Sequence, residues 1–208
     1  MSGRLPYPRA FRITERDVAI LQAIARYRFL TAELTQRIVG GSERGVGNRL
    51  RILSAHAYVV RVAMVVTQPV AFGLANKGVR LLANRGCHIN HRLDWTAKNR
   101  TTHYFLAHTL SVAETMLHFA FAARKYRVRL IEHHELLPEL PDATRNARDP
   151  FCMRVVVAHR GDNISIPVIP DRLFTLAYDQ ETRHNFALEY DTGAMDIAGV
   201  PGGGVGRR

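Results

Sequence analysis

The stretch TAELTQRIVGGSERGVGNRLRIL, running from Thr31 to Leu53, reads as two short helices joined by a tight turn. Thr31 is placed to cap a helix over Ala32–Val39, with Leu34 and Ile38 on one face. Gly40 and Gly41 make the turn. Ser42 then caps a third helix running to about His56, whose buried stripe is Val46, Leu50, Leu53 and Ala57. Arg44, Asn48 and Arg51 follow at spacings of four and three, which puts them together on a different face, with Arg49 beside them. Working outward, Thr14-Glu15-Arg16-Asp17 opens an earlier helix: a capping hydroxyl, acids in the first turn, then Val18, Leu21, Ile24 and Ala25 at helical spacing. Phe29-Leu30 interrupts that pattern. Downstream, the β-branched run Tyr58–Val66 reads as a strand, Thr67-Gln68-Pro69 as a turn, and Val70–Ala75 as the returning strand. Asn76 is expected to cap a last helix, Lys77 to Asn84, closed by Gly86. Helix, helix, helix, hairpin, helix is the order of a winged helix-turn-helix, expected over residues 10–86.

Charge points the same way. Residues 1–100 hold seventeen Lys/Arg against five Asp/Glu, while residues 101–208 hold twelve against thirteen. The whole excess of +11 therefore lies in the first half, and a polycationic half is suited to phosphate. Arg and Asn both make bidentate contacts to base edges, and the N-terminal turns of a recognition helix enter the major groove. The expected partner is double-stranded DNA. Arg44, Asn48, Arg49 and Arg51 come from the third helix, and Arg61 and Gln68 lie on or near the wing. A solvated basic helix face is the plainer reading of the same residues. No run of 18 apolar residues exists and the chain starts without an apolar h-region, so neither a membrane span nor a secretory signal is expected. Two distant cysteines, Cys87 and Cys152, make no disulfide framework. A cytoplasmic protein is expected. A homodimer on paired half-sites is allowed, although no dimerisation helix stands out.

The second half is read as a small α/β domain over 101–197, after a polar linker over 87–100 and before a Gly-rich, disordered tail over 198–208. Cys87, His88 and His91 in the linker are too few for a zinc site. A long helix spans about Thr102–Tyr126, with Leu106, Leu110, Ala113, Leu117 and Phe121 as its stripe and Glu114 and His108 at the stripe's edges. Strands are expected at Val128–Ile131, Cys152–Ala158, Ile164–Ala177 and Phe186–Asp191, with a loop over 137–150. Alternation puts Glu189 and Asp191 on one side of the last strand. Asp171 follows Pro170 in the neighbouring strand. With Glu114, these carboxylates would repel one another unless they shared a divalent cation, Mg²⁺ or Mn²⁺ by their hard oxygen donors, or found arginine partners in Arg172 or Arg183. Such a metal could activate water against a phosphodiester.

These segments together resemble the replication-relaxation family of plasmids and integrative elements. The resemblance is carried by Tyr27–Thr31, Arg49–Leu53 and Leu74–Gly78, then by Leu106–His108 with Val112–Glu114, Pro170-Asp171 with Phe174, and Phe186–Gly193, and it covers most of residues 12–193. It is similar to the MobC-type relaxases, in which a winged helix precedes a nuclease-like fold of the PD-(D/E)xK kind. The resemblance implies an α+β chain: a winged helix-turn-helix followed by a small restriction-endonuclease-like domain, acting with replication or mobilisation proteins. It implies that Asp171 is the acid of the PD element, Glu189 the acid of the next strand and Glu114 the helix acid. Asp191 stands where the simplest motif has lysine, and no lysine follows Lys125. Sequence-specific DNA binding beside a degenerate or truncated nuclease-like domain is therefore the expected function. An active Mg-dependent nickase at a plasmid or element origin is the alternative.

Overall fold

The structure, a computed structural model, describes residues 11–62, 69–87, 89, 93–147, 149–159, 161–179 and 181–191. It is a mixed α+β fold with small antiparallel sheets. The chain divides into two compact units between Ala113 and Glu114.

In the first unit the helix starts fall where the capping residues put them. Helix α1 (Glu15–Tyr27) begins at Thr14, whose hydroxyl accepts from the Asp17 amide while the Asp17 carboxylate accepts from the Thr14 amide, a reciprocal capping box. The chain reverses at Arg28, at a left-handed φ of 69°. It then forms a short strand β1 (Phe29–Thr31) where the sequence showed only an interruption. Thr31 caps α2 (Ala32–Val39), Gly40 and Gly41 turn the chain at φ of 76° and 80°, and Ser42 caps α3 (Glu43–Ala55). Strands β2 (Val59–Val62) and β3 (Ala71–Leu74) pair antiparallel, with Val59 opposite Leu74 and Val62 opposite Ala71. β3 also pairs with β1, so the sheet order is β1-β3-β2. Residues 63–68, which include the expected turn and Gln68, lie outside the described residues.

The core of this unit is made by Ile20, Leu21 and Ile24 of α1, Val46, Leu50 and Leu53 of α3, and Leu30 and Phe72 of the sheet, all almost fully buried. Helix α4 (Asn76–Asn84) closes it. Gly78 is required there, because a Cβ would run into the Tyr58 carbonyl oxygen, the atom that accepts from the Ala75 amide.

Two expectations change at this end of the unit. Ala75, not Asn76, is the N-cap of α4. The Asn76 side chain instead accepts from the Trp95 amide and donates to Asp94. The stretch read as an irregular linker holds a one-turn helix α5 (Trp95–Lys98) capped by Asp94. Next to it, the buried Asn99 donates to the Leu74 carbonyl at 2.5 Å. Arg28 donates to the Lys98 carbonyl and lies over the Phe105 ring. The start of helix α6 (His103–Lys125) then lays Leu106 and Leu110 against Phe29, Val62 and Ala71. Residues 94–110 thus complete the first unit rather than merely leave it. His88, His91 and the 198–208 tail lie outside the described residues.

In the second unit, α6 continues past Ala113 and buries Met116, Leu117 and Ala123, with Phe119 against Phe174. Phe121, expected in the stripe, is 41% exposed. A step of four residues repeated along a helix drifts off a straight face, and by Phe121 it has left the core. Strand β4 (Arg129–Glu132) leads to a four-residue helix α7 (His133–Leu136), a 3-10 turn over Leu137–Glu139 and a four-residue helix α8 (Asp142–Arg145), where the prolines had suggested only loop. β5 (Met153–His159) and β6 (Asp162–Val168) make a hairpin of their own. β7 (Arg172–Ala177) and β8 (Arg183–Leu188) join β4 in a sheet of order β4-β7-β8. The single strand expected over Ile164–Ala177 is therefore two strands in two sheets. The break falls at Ile169–Asp171, where Pro170 lacks the amide a continuous ladder would need. β8 ends at Leu188, so Glu189 and Asp191 lie beyond the ladder rather than in it.

Candidate functional site

Helix α3 presents its cations in two ways. Arg44, Asn48 and Arg51 are exposed on one side, and Arg51 donates to the side-chain oxygen Oδ1 of Asn48 at 2.7 Å. Arg44 has no side-chain partner among the described residues. Arg49 has protein partners as well as a place on this helix. Its guanidinium forks onto both carboxylate oxygens of Asp17 and donates to the Arg12 carbonyl at 2.8 Å. The Asp17 side chain is fully buried, whereas Arg49 keeps about a quarter of its surface. A buried carboxylate must be paired, and a bidentate arginine is the fitting partner. Burial alone would push the Asp17 carboxyl up. The hydrogen bonds from Arg49 and Thr14 outweigh it and hold the carboxyl below its ordinary value. Arg49 is thereby a tie between α1 and α3.

Arg51 and Arg61 are ten residues apart in sequence and line one groove of about 330 Å³, together with Glu33, Glu43, Gly47 and Phe72. The exposed Arg61 stands on the edge strand β2. The fold thus brings α3 and the strands β2 and β3 to a common concavity. Gln68 lies outside the described residues.

The four acids are brought together only in part. Asp171 precedes β7 and accepts from the Tyr190 amide at 2.8 Å, which sets it beside the segment Glu189–Asp191. The ladder explains this: Arg172 pairs with Leu188, so the residues just outside that pair face one another. Glu114 is exposed on α6, and Glu189 and Asp191 are exposed at the chain's exit from β8. No three of the four bring carboxylate oxygens within 4.8 Å of one another among the described residues. The donor set is hard and anionic, but its oxygens do not close on one point. Arg172 lies 3.3 to 3.5 Å from the ring nitrogens of His133.

The group that does gather is one the sequence reading passed over. Glu132, His133 and His134 hold their ligand atoms within 4.8 Å of one another. The visible signal was the consecutive Glu-His-His itself, a pattern too short to separate from chance. The guanidinium against His133 places one cation there already, which disfavours a second.

No helix among the described residues is long and apolar enough to cross a membrane. Residues 21–200 match the family model described as replication-relaxation. Neither a curated protein nor a solved structure matches the chain. On a match that spans most of its length, the chain belongs to the replication-relaxation family.

Proposed function

From that membership and the geometry of α3, we propose that residues 10–86 form a winged helix-turn-helix that binds double-stranded DNA in a replication or mobilisation step of a mobile element. In this reading α3 is the recognition helix, Arg44 and Asn48 face base edges, and Arg51 and Arg61 flank the duplex from helix and wing. The observation that carries it is the shared groove: two exposed arginines from separate elements converge beside the N-terminal half of a capped, exposed helix. Arg49 supports the reading indirectly, since the fork to Asp17 fixes how α3 stands on α1. Titrating a duplex library with the full chain at several salt concentrations tests the proposal. Binding should select a sequence and weaken linearly in log salt, by about 0.9 in slope for each phosphate neutralised. Lack of duplex binding at low salt would refute it.

A second reading, a metal-dependent nickase using Glu114, Asp171, Glu189 and Asp191, has one observation in its favour: the contact that seats Asp171 beside Glu189. Supercoiled plasmid incubated with Mg²⁺ or Mn²⁺ decides it. Nicking by the wild type that Asp171→Ala abolishes would establish that reading. Its absence in both leaves a DNA-binding protein with a nuclease-like but inactive second unit.

A further inference from the structure

A second groove lies on the other side of Arg61. It runs along the open edge of β2 between the end of α3 and the start of α4, and Ser54, Arg61, Asn76, Lys77, Arg80 and Thr96 supply its polar lining. It differs from the groove beside Arg51 in one respect that matters. The first is balanced, two arginines against Glu33 and Glu43, whereas no carboxylate lines the second. Asp94, which does not line the groove, accepts from the Asn76 side chain and the Ala97 amide through one oxygen, Oδ1. Arg61 and Arg80 are exposed and have no side-chain partner among the described residues. Lys77 lies over the Tyr58 ring and donates to the His56 carbonyl at 3.2 Å, which leaves two of its three protons for another acceptor. Arg16, Arg28, Arg49 and Arg85 of the same unit, by contrast, have protein acceptors. Three converging cations with two hydroxyls and no acid suit a polyanion's phosphodiester oxygens rather than base edges.

We propose that Arg61, Lys77 and Arg80 form a second DNA-backbone site, so that the duplex is followed from α3 across the edge of β2 onto α4. The inference rests on the DNA-binding reading above and extends its footprint. Arg61 belongs to both grooves and is the hinge of the track. Contacts of this kind add affinity and salt dependence without reading sequence.

The test is the salt dependence of duplex binding by the full chain. Arg80→Ala should lower the magnitude of the log–log slope by about 0.9, and Arg80→Ala with Lys77→Gln by about 1.8, both with sequence preference unchanged. The single variant removes an exposed side chain with no partner, so its folding is not at issue. Arg85→Ala, which removes a cation paired with Glu15 and outside both grooves, should leave the slope as in the wild type. The proposal is overturned if Arg80→Ala has the wild-type slope, if Arg85→Ala lowers it equally, or if Arg80→Ala alters sequence preference. A wild type that does not bind duplex overturns the parent reading as well, a result distinct from all three.

Discussion

The core of the first unit and the β5–β6 hairpin of the second bury apolar side chains to very different degrees. In the first, Leu21, Ile24, Leu50 and Leu53 are wholly enclosed, and the one buried carboxylate of α1 has a bidentate arginine. In the second, the β5–β6 hairpin carries Met153, Val155, Val157, Ile164, Ile166 and Val168 on one face, paired across the strands, and each is between 37% and 45% exposed. A closed core makes a side chain's identity costly to change, whereas an open face makes it cheap. The closed unit also holds its surface cations on rigid elements, which a binding surface needs. The contrast teaches that stability and charge display are coupled in residues 11–113 and are not coupled in the hairpin.

The largest effect expected is in the closed core. Leu50→Ala should cost about 3 kcal/mol or more, because a fully buried leucine leaves a cavity as well as losing its transfer free energy. Denaturant unfolding measures it. A cost below about 1 kcal/mol would break the comparison, since α3 would then not be anchored by its apolar stripe.

Next is the buried pair. Asp17→Ala should cost about 3 kcal/mol, toward the low end for breaking a buried ion pair because Arg49 can rehydrate. The pH dependence has a definite sign. The folded carboxyl lies below the ordinary value of 3.8, so its contribution is complete above that value and is lost as pH falls through the lower folded value. The contribution of Asp17 to stability should therefore stay level from pH 7 to 5 and decline below 4. Asp17→Asn, which cannot ionise, should lose that part of the decline.

Arg44→Ala follows, with an effect on binding alone. On the proposed reading it should cost about 1–3 kcal/mol of duplex affinity and relax sequence preference, at unchanged unfolding midpoint. Arg49→Ala, five residues on, should show the reverse: a stability loss first, with affinity falling only as α3 loosens. Identical behaviour of the two variants would show that the fork to Asp17 does not separate structural from displayed arginines.

These pairs also show what was legible in the sequence. Thr14, Thr31 and Ser42 fixed three helix starts because capping is a local matter of one hydroxyl and the amides just after it. The charge split located the cationic unit for the same reason: it needs only counting. What was not legible was whatever depended on partners remote in sequence. Arg49 and Arg51 differ only in what faces them, and Asp17, thirty-two residues earlier, decides it. Asn76 looked like a cap, but Trp95 and Asp94 claim its side chain. β-branched residues on both sides of Pro170 read as one strand, because propensity does not say which sheet a strand joins. Of the four acids, the ladder placed Asp171 beside Glu189–Asp191, while Glu114 sits on a helix whose rotation no spacing rule could set to within the reach of a ligand.

The smallest effect is the most discriminating for the second unit. Val155→Thr replaces an apolar residue on the open hairpin face, opposite Ile166, by a polar one of nearly the same shape. At 45% exposure the valine keeps much of its surface in water, so the substitution should change stability by no more than about 0.5 kcal/mol, the usual range for surface sites. The same exchange at Val46, which is fully buried in α3, places a hydroxyl in the core and should cost about 1–3 kcal/mol. A hairpin on its own is marginal in water, so its amides should also exchange faster than those of β2 and β3. If Val155→Thr instead proved as costly as the substitution at Val46, the open face would be a covered one, and the distinction between the two units would become a difference in what covers each rather than in whether it is covered.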